Sequence, residues 1–263
     1  MKSVLITGAY GGMGRATAKL LSAQGIRVFA LDKRVENEEE NIIPIEADIT
    51  SSESVKEAFE KVKSYTDSLF SIIHFAGIYM LDSLVEMEED AFKRIFDVNF
   101  HGVYLVNKTF LPLLNTGSRI LITTSELATL DPLPFTGVYA ISKAALDKYA
   151  YSLRMELQLL KINVSVLRAG AVDTGMISAS TDALDRFCEK TQLYTCNADR
   201  FKSIVNSVEA RSIKTEKIAK KAFKILKKKK ARFAFSINRN PLLCLLNVLP
   251  KNAQLWAIRQ ILK

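Results

Sequence analysis

Val4-Leu5-Ile6-Thr7-Gly8-Ala9-Tyr10-Gly11-Gly12-Met13-Gly14 is a short apolar run that ends in a glycine-rich turn. An apolar run of this length bounded by glycines reads as a buried strand, and the amphipathic segment after it reads as a helix. Such a turn aims backbone N–H groups and a helix N-terminus at one point, an arrangement that receives a pyrophosphate. Gly8 permits the tight turn, Gly12 the close approach of backbone to phosphate, and Gly14 the packing of helix on strand; Tyr10 and Met13 offer backbone donors. A tight βα turn without a ligand has the same form, so the stretch gains its meaning from what surrounds it.

Working outward, apolar runs at 4–7, 28–31, 42–45, 70–75, 120–124, 164–167 and 233–237 alternate with amphipathic segments. Runs so rich in Val, Ile and Phe suit strands buried on both faces. Strict β/α alternation then predicts a doubly wound, seven-stranded parallel sheet with right-handed crossovers and ligands beyond the carboxyl ends of the strands. Asp32 closes the second strand, where a carboxylate accepts hydrogen bonds from both ribose hydroxyls and repels a 2′-phosphate. That favours NAD. Lys33 and Arg34 follow directly and would neutralise a phosphate if turned inward, which leaves NADP open.

Far along the chain, Tyr139-Ala140-Ile141-Ser142-Lys143 sets a phenol and an ammonium one helical turn apart on one face. A free phenol, with a pKa of about 10, is a poor base at neutral pH. A cation four residues on, together with the charge of an oxidised nicotinamide, favours the phenolate.

Thr7-Gly8-x-x-x-Gly12-x-Gly14, Asp48-Ile49-Thr50, Asp97-Val98-Asn99, Tyr139-x-x-x-Lys143 and Ala169-Gly170-Ala171-Val172-Asp173-Thr174 together resemble the short-chain dehydrogenase/reductase family, in its compact single-domain branch. The resemblance implies a Rossmann-like fold and a Ser-Tyr-Lys-Asn site. Asp48 and Ile49 would border the adenine, Lys143 would also bond the nicotinamide ribose, Asn99 would hold a water linking that lysine to solvent, and Val172 and Thr174 would meet the carboxamide. The family's Asn-Asn-Ala-Gly after the fourth strand is replaced by His74-Phe75-Ala76-Gly77. Ala76 and Gly77 still let backbone lie near the adenosine ribose, two amides are lost, and His74 reads as a core or rim histidine. The family serine falls about 13 residues before the tyrosine; that count lands on Glu126, so Ser125 is assigned to polarise the substrate oxygen, with Thr124 as the alternative. The resemblance also implies a homodimer or homotetramer, paired through the helices near 90–114 and 139–160.

Of the 263 residues, 37 are Lys or Arg and 28 Asp or Glu, giving a net charge of +9. The excess is local: residues 211–263 hold fifteen basic residues and one acid, Glu216, while the preceding part is net acidic. Three cysteines without C-x-x-C spacing and two histidines, His74 and His101, give no metal-ligand pattern. The expected organisation is a single catalytic domain over 1–237, with a mobile substrate lid at about 175–212, and a basic, apolar helical extension over 238–263. Leu184, Phe187, Leu193, Tyr194, Phe201 and Ile204 in the lid suit a lipophilic, steroid-like or fatty secondary alcohol or ketone, or else simply pack the lid. The start at the first strand leaves no leader segment, which points to a cytoplasmic protein. The extension either lies peripherally on a membrane surface or closes the pocket or a subunit interface. Two rival readings are a non-catalytic dinucleotide-binding regulator and, on the basic tail, a nucleic-acid-binding arm; the tail lacks interleaved aromatics, so no nucleic acid is expected.

Overall fold

A computed structural model describes residues 1–263 except 210 and 231; side chains at 176–181 and 207–209, which fall in the expected lid, also lie outside the described residues. Seven strands, β1 (Ser3–Thr7), β2 (Arg27–Asp32), β3 (Ile42–Glu46), β4 (Leu69–His74), β5 (Leu114–Ser125), β6 (Asn163–Ala169) and the late strand Ala234–Ile237, form one all-parallel sheet. Two short strands, β7 (Val172–Asp173) and β8 (Ile213–Lys214), pair separately, so the late strand is β9 and the main sheet runs β3-β2-β1-β4-β5-β6-β9. The order reverses between β1 and β4, which is where a doubly wound sheet opens a crevice.

The period-two geometry of strands explains why their sequences are apolar throughout. Leu5, Phe29, Leu31, Ile72 and Ile120 point to one face, where they pack on α2 (Ser52–Lys63), α4 (Gly102–Phe110) and α5 (Gly137–Leu157). Val4, Ile6, Val28, Ile73 and Leu121 point to the other, against α1 (Gly12–Ser22) and α8 (Thr215–Lys227). At about 1.5–3 kcal/mol for each buried large aliphatic side chain, these two layers supply most of the driving force for folding. Helix α3 (Glu89–Phe96) runs into α4 through one π turn, Asp97–His101.

The expected lid forms two helices, α6 (Gly175–Lys190) and α7 (Thr195–Glu209). Leu184 and Phe187 on α6 and Ala198, Phe201 and Val205 on α7 recur at helical spacing and bury against one another. The pattern is sparse because only one narrow face of each helix is covered. After β9, Asn240 caps α9 (Pro241–Leu246) by accepting from the Leu242 N–H at 2.9 Å, and α10 (Lys251–Leu262) follows Pro250. Leu262 inserts between the lid helices, and Asn197 donates to its carbonyl at 2.6 Å.

His74 at the end of β4 belongs to the core. Its Nδ1 faces the Thr7 hydroxyl at 3.4 Å and its Nε2 meets Asn107 Oδ1 at 2.9 Å. Burial drives its pKa from 6.5 down to about 4, against the hydrogen bond to Asn107. Because the folded pKa is depressed, the unfolded chain binds more protons between those values, and stability present above pH 6.5 is lost as pH falls toward 4. Denaturant titrations across that window should show a loss on the order of 3 kcal/mol for this group. His74→Asn should flatten that part of the curve; an unchanged acid limb would refute the assignment.

Candidate active site

Helix α1 starts at Gly12 behind Gly11, an N-cap with no side chain to occupy the first-turn N–H groups. The turn is closely built. Gly8 has φ +67°, and a Cβ there would stand 2.5 Å from the Ala76 nitrogen; one on Gly14 would stand 2.0 Å from the Gly8 carbonyl oxygen. The close approach of Gly8 to Ala76 makes this turn and Ala76-Gly77 neighbouring walls of one cleft of about 570 Å³, which also includes Tyr10, Met13, Asp32, Asp48, Ile49 and Thr174.

Asp32 accepts the Tyr10 N–H at 3.0 Å on one carboxylate oxygen and the Lys33 N–H at 2.8 Å on the other. That fixes its plane at the cleft edge, with lone pairs left for further donors. The Lys33 ammonium pairs with Asp48, also in the cleft wall, at 2.8 Å. Burial pushes the Asp48 carboxyl up, but Lys33 and the Thr50 donors outweigh it and hold it below the usual range. Asp48 accepts both the N–H and the hydroxyl of Thr50, at 2.9 and 2.7 Å, while Ser51 provides the cap of α2. Of the two adjacent cations Arg34 alone keeps a place in the cleft without an ion pair to Asp48.

Deeper in, a second pocket of about 170 Å³ shares Met13, Phe75, Gly77, Tyr79 and Thr174 with the first and contains Ser125, Tyr139, Lys143 and Val172. Asn99, fully buried, sits on the π turn. Its Oδ1 accepts the Ile78 N–H at 2.8 Å, and its Nδ2 donates to the Ile78 carbonyl at 3.0 Å and to Ser142 Oγ at 3.1 Å. Both amide hydrogens are thus spent on protein partners. A Cβ on Gly77 would lie 3.1 Å from Asn99 Oδ1 and 3.2 Å from Lys143 Nζ, so only glycine leaves room over that ammonium.

Lys143 Nζ lies 5.7 Å from the centre of the Tyr139 ring, and Tyr79 packs edge-on to the same ring at 4.6 Å. Burial pushes Tyr139 up to about 12, opposed by a hydrogen bond with Ser125, and burial pushes Lys143 down to about 8. Desolvation is therefore the dominant effect on both groups, whereas the spacing of Tyr139 and Lys143 alone suggests only attraction.

The two adjacent hydroxyls, both in the pocket lining, have different partners. Successive side chains on β5 point to opposite faces. Thr124 turns into a polar network, donating at 3.2 Å to Asp147, which also receives two bonds from Arg168 at 2.9 and 2.7 Å. Ser125 ends the strand, accepts the Leu127 N–H at 3.2 Å and faces Tyr139.

Glu126, on which the count back from Tyr139 lands, has a positional role. It is buried in the pocket wall, and its Oε2 accepts the Asn240 N–H at 2.7 Å, pinning the start of α9. Burial raises its carboxyl above the usual range against the Asn240 bond and Arg239. Leu243 of α9 also lines the pocket, and so do Ile204 and Val205 of α7. Ile204 is among the apolar lid residues read from the sequence, whereas no local pattern marks Val205 or Leu243 as pocket residues, because they come from separate elements. Of the six apolar lid residues, Leu184, Phe187 and Phe201 fill the lid's own core and Leu193 is exposed. Among the described residues no group of three or more His, Cys, Asp or Glu is placed to hold a metal.

The profile of a family described as short chain dehydrogenase matches residues 2–185. Estradiol 17-beta-dehydrogenase 2 of Mus musculus is 33% identical over 199 residues, covering 70% of this chain and 51% of that protein. The NADPH-dependent 1-acyldihydroxyacetone phosphate reductase of Schizosaccharomyces pombe is 31% identical over 179 residues, 66% of this chain and 60% of that protein. Those alignments span about half to three fifths of the relatives' lengths. A short chain dehydrogenase family protein from Francisella tularensis superposes with a TM-score of 0.75 at 22% identity, over 90% of this chain and 97% of that one, a likeness of fold.

Ser125→Ala should cut turnover while leaving stability nearly unchanged. Thr124→Val should do the reverse, costing about 1 to 2 kcal/mol through the lost bond to Asp147. Steady-state rates and denaturant midpoints on the two variants check this, and a Thr124→Val protein that folds normally but fails in catalysis would reverse the assignment.

Proposed function

Because the chain belongs to the short chain dehydrogenase family, we propose that it transfers hydride between a nicotinamide dinucleotide and a lipophilic secondary alcohol or ketone. The observation that carries the reading is the convergence of Ser125, Tyr139 and Lys143 on a pocket continuous with the dinucleotide-shaped cleft.

The residues fit the cofactor. An uncapped helix N-terminus suits a pyrophosphate, the Asp32 carboxylate suits ribose hydroxyls, and the space above Gly77 suits a flat ring. When bound, the dinucleotide accepts or supplies the hydride. Tyr139 takes the hydroxyl proton in oxidation, or gives one to the carbonyl oxygen in reduction. Ser125 donates a hydrogen bond to the same oxygen and holds it beside the phenol. Lys143, desolvated next to Gly77, supplies the positive charge that makes a phenolate accessible near neutral pH. A net lowering of the Tyr139 pKa needs further positive charge in the pocket, which an oxidised nicotinamide would supply.

The pocket wall of Phe75, Leu127, Leu133, Val172, Ile204 and Leu243 is apolar and suits a steroid-like or acyl-bearing substrate. Two similar proteins are named for estradiol and for an acylated phosphate ester. NAD is the preferred cofactor in this reading because Asp32 faces the ribose position and Lys33 is held by Asp48. A homo-oligomer is supported by exposed Phe92 and Tyr104 on α3 and α4 and by exposed Tyr151 and Met155 on α5. The chain folds as one catalytic unit over 1–237 with a C-terminal extension. A non-catalytic regulator would have no need of a buried lysine beside a buried tyrosine.

Tyr139→Phe should leave cofactor affinity nearly intact and lower kcat by about 100- to 10,000-fold, the usual contribution of a positioned acid or base. Lys143→Ala should impair both. Stopped-flow binding and steady-state rates with a panel of alcohols and ketones test this, and full turnover by Tyr139→Phe would overturn the mechanism.

Asp32→Ala should relax discrimination against the 2′-phosphate, raising kcat/KM with NADP relative to NAD by tenfold or so. If the unaltered protein already prefers NADP, the role given to Asp32 is wrong.

A further inference from the structure

The extension after β9 shows two different surfaces. Inward, Leu243 and Leu262 are buried, Glu126 holds the Asn240 N–H, and Asp131 donates its own N–H to Asn247 at 2.6 Å. Outward, Leu242, Leu245, Val248 and Leu249 stand on one side of α9 and the turn after it, at spacings that keep them together. Val248 is 80% exposed and Leu245 65%, values unlike those of a packed leucine helix. Along α10 the exposed stripe is Leu255, Trp256, Arg259 and Lys263, at i, i+1, i+4 and i+8. Two adjoining short helices thus expose large apolar side chains while already anchored to the fold by their opposite faces.

Charge decides between occupants. No Asp or Glu follows Glu216 in the sequence, and residues 217–263 hold only basic charged side chains, including Lys227, Lys228, Lys229 and Lys230 at the end of α8. An isologous contact of this face with itself would oppose Arg259 and Lys263 to their own copies. An anionic partner of low polarity relieves both the exposed leucines and the charge. We propose that the outward face of α9 and α10 docks on an anionic lipid surface, with Leu242, Leu245 and Trp256 entering the acyl boundary and Arg259 and Lys263 meeting headgroup phosphates. Among the described residues no helix is long and apolar enough to cross a membrane, so the contact is peripheral. It goes beyond the hydride-transfer reading and does not depend on it.

Trp256 is the only tryptophan of the chain, so its emission reports on this face directly. The full-length protein is mixed with phosphatidylcholine vesicles, with and without phosphatidylserine. With the anionic vesicles it should co-sediment, its emission should shift to the blue, and acyl-chain bromines should quench it. Affinity should fall by about tenfold or more on raising the salt to several tenths molar. Leu242→Ser with Leu245→Ser, both at exposed positions, should abolish the quenching while circular dichroism stays unchanged. Tyr139→Phe should bind vesicles like the unaltered protein, so a failed catalytic reading and a failed docking reading are told apart. Unshifted emission from a folded protein overturns the proposal. So does equal uptake by neutral vesicles, or a dimer in sedimentation velocity that the double leucine variant loses without any vesicle binding, which would assign the face to a second copy.

Discussion

The Asn99 carboxamide, bonded to both polar groups of the Ile78 main chain, is the constraint on which the site depends. It joins the π turn between α3 and α4 to the loop that follows β4. Through Ser142, whose hydroxyl passes a hydrogen bond of 2.8 Å to the Tyr139 carbonyl, it also fixes α5. Three elements distant in sequence are thereby held in one register. With the residue fully buried, replacing the amide would leave the Ile78 N–H and carbonyl unpaired in a low-dielectric interior, a penalty of about 1–3 kcal/mol for each, and would remove the donor to Ser142 Oγ. A widened helical turn is what brings Asn99 inward, and such turns are frequent at functional sites.

From that register follows the electrostatics of the pocket. Lys143 is placed against Gly77 rather than in solvent, and the full cost of its desolvation appears as a pKa of about 8. Tyr139 is raised to about 12 for the same reason. Each group taken alone is in its less useful form, yet together they describe a site whose proton affinity is governed by what else enters it. A carboxylate beside Lys143 would have stabilised the ammonium and spent the charge before any phenolate formed. The Asp147 carboxylate is engaged by Arg168 and Thr124.

How much of this the sequence discloses depends on whether a residue's role is local. Strands buried on both faces read as continuous apolar runs, so each of the seven main strands overlaps one; the ends differ by one or two residues except at β5, which begins at Leu114, six residues before its run. The glycines and Asp32 are legible because a tight turn and a strand end impose their own residue types. Ser125 and Thr124 differ in their hydrogen-bond partners, which a count across an irregular loop does not resolve. Helices α6 and α7 lack a broad amphipathic stripe, since they cover each other and α10 rather than the sheet. The pairing of β7 with β8 involves two residues from each partner, too few to leave a pattern.

Glu126 shows most clearly why the rest was hidden. At the end of β5 it is one residue from the serine of the site, and its carboxylate reaches a main-chain N–H more than a hundred positions later, at Asn240. Gly170 makes that meeting feasible: a Cβ there would fall 1.8 Å from the Asn238 carbonyl oxygen and 3.0 Å from Glu126 Oε1. The glycine in Ala169-Gly170, which in sequence reads only as the small residue after β6, is therefore the space through which the C-terminal extension comes in beside the pocket. The extension brings Leu243 with it, so part of the pocket wall and the outward leucines of α9 are carried by one segment anchored by a buried carboxylate. The shape of the pocket is thus tied to the packing of a segment outside the sheet, and changes in that segment will be read out in which substrates fit.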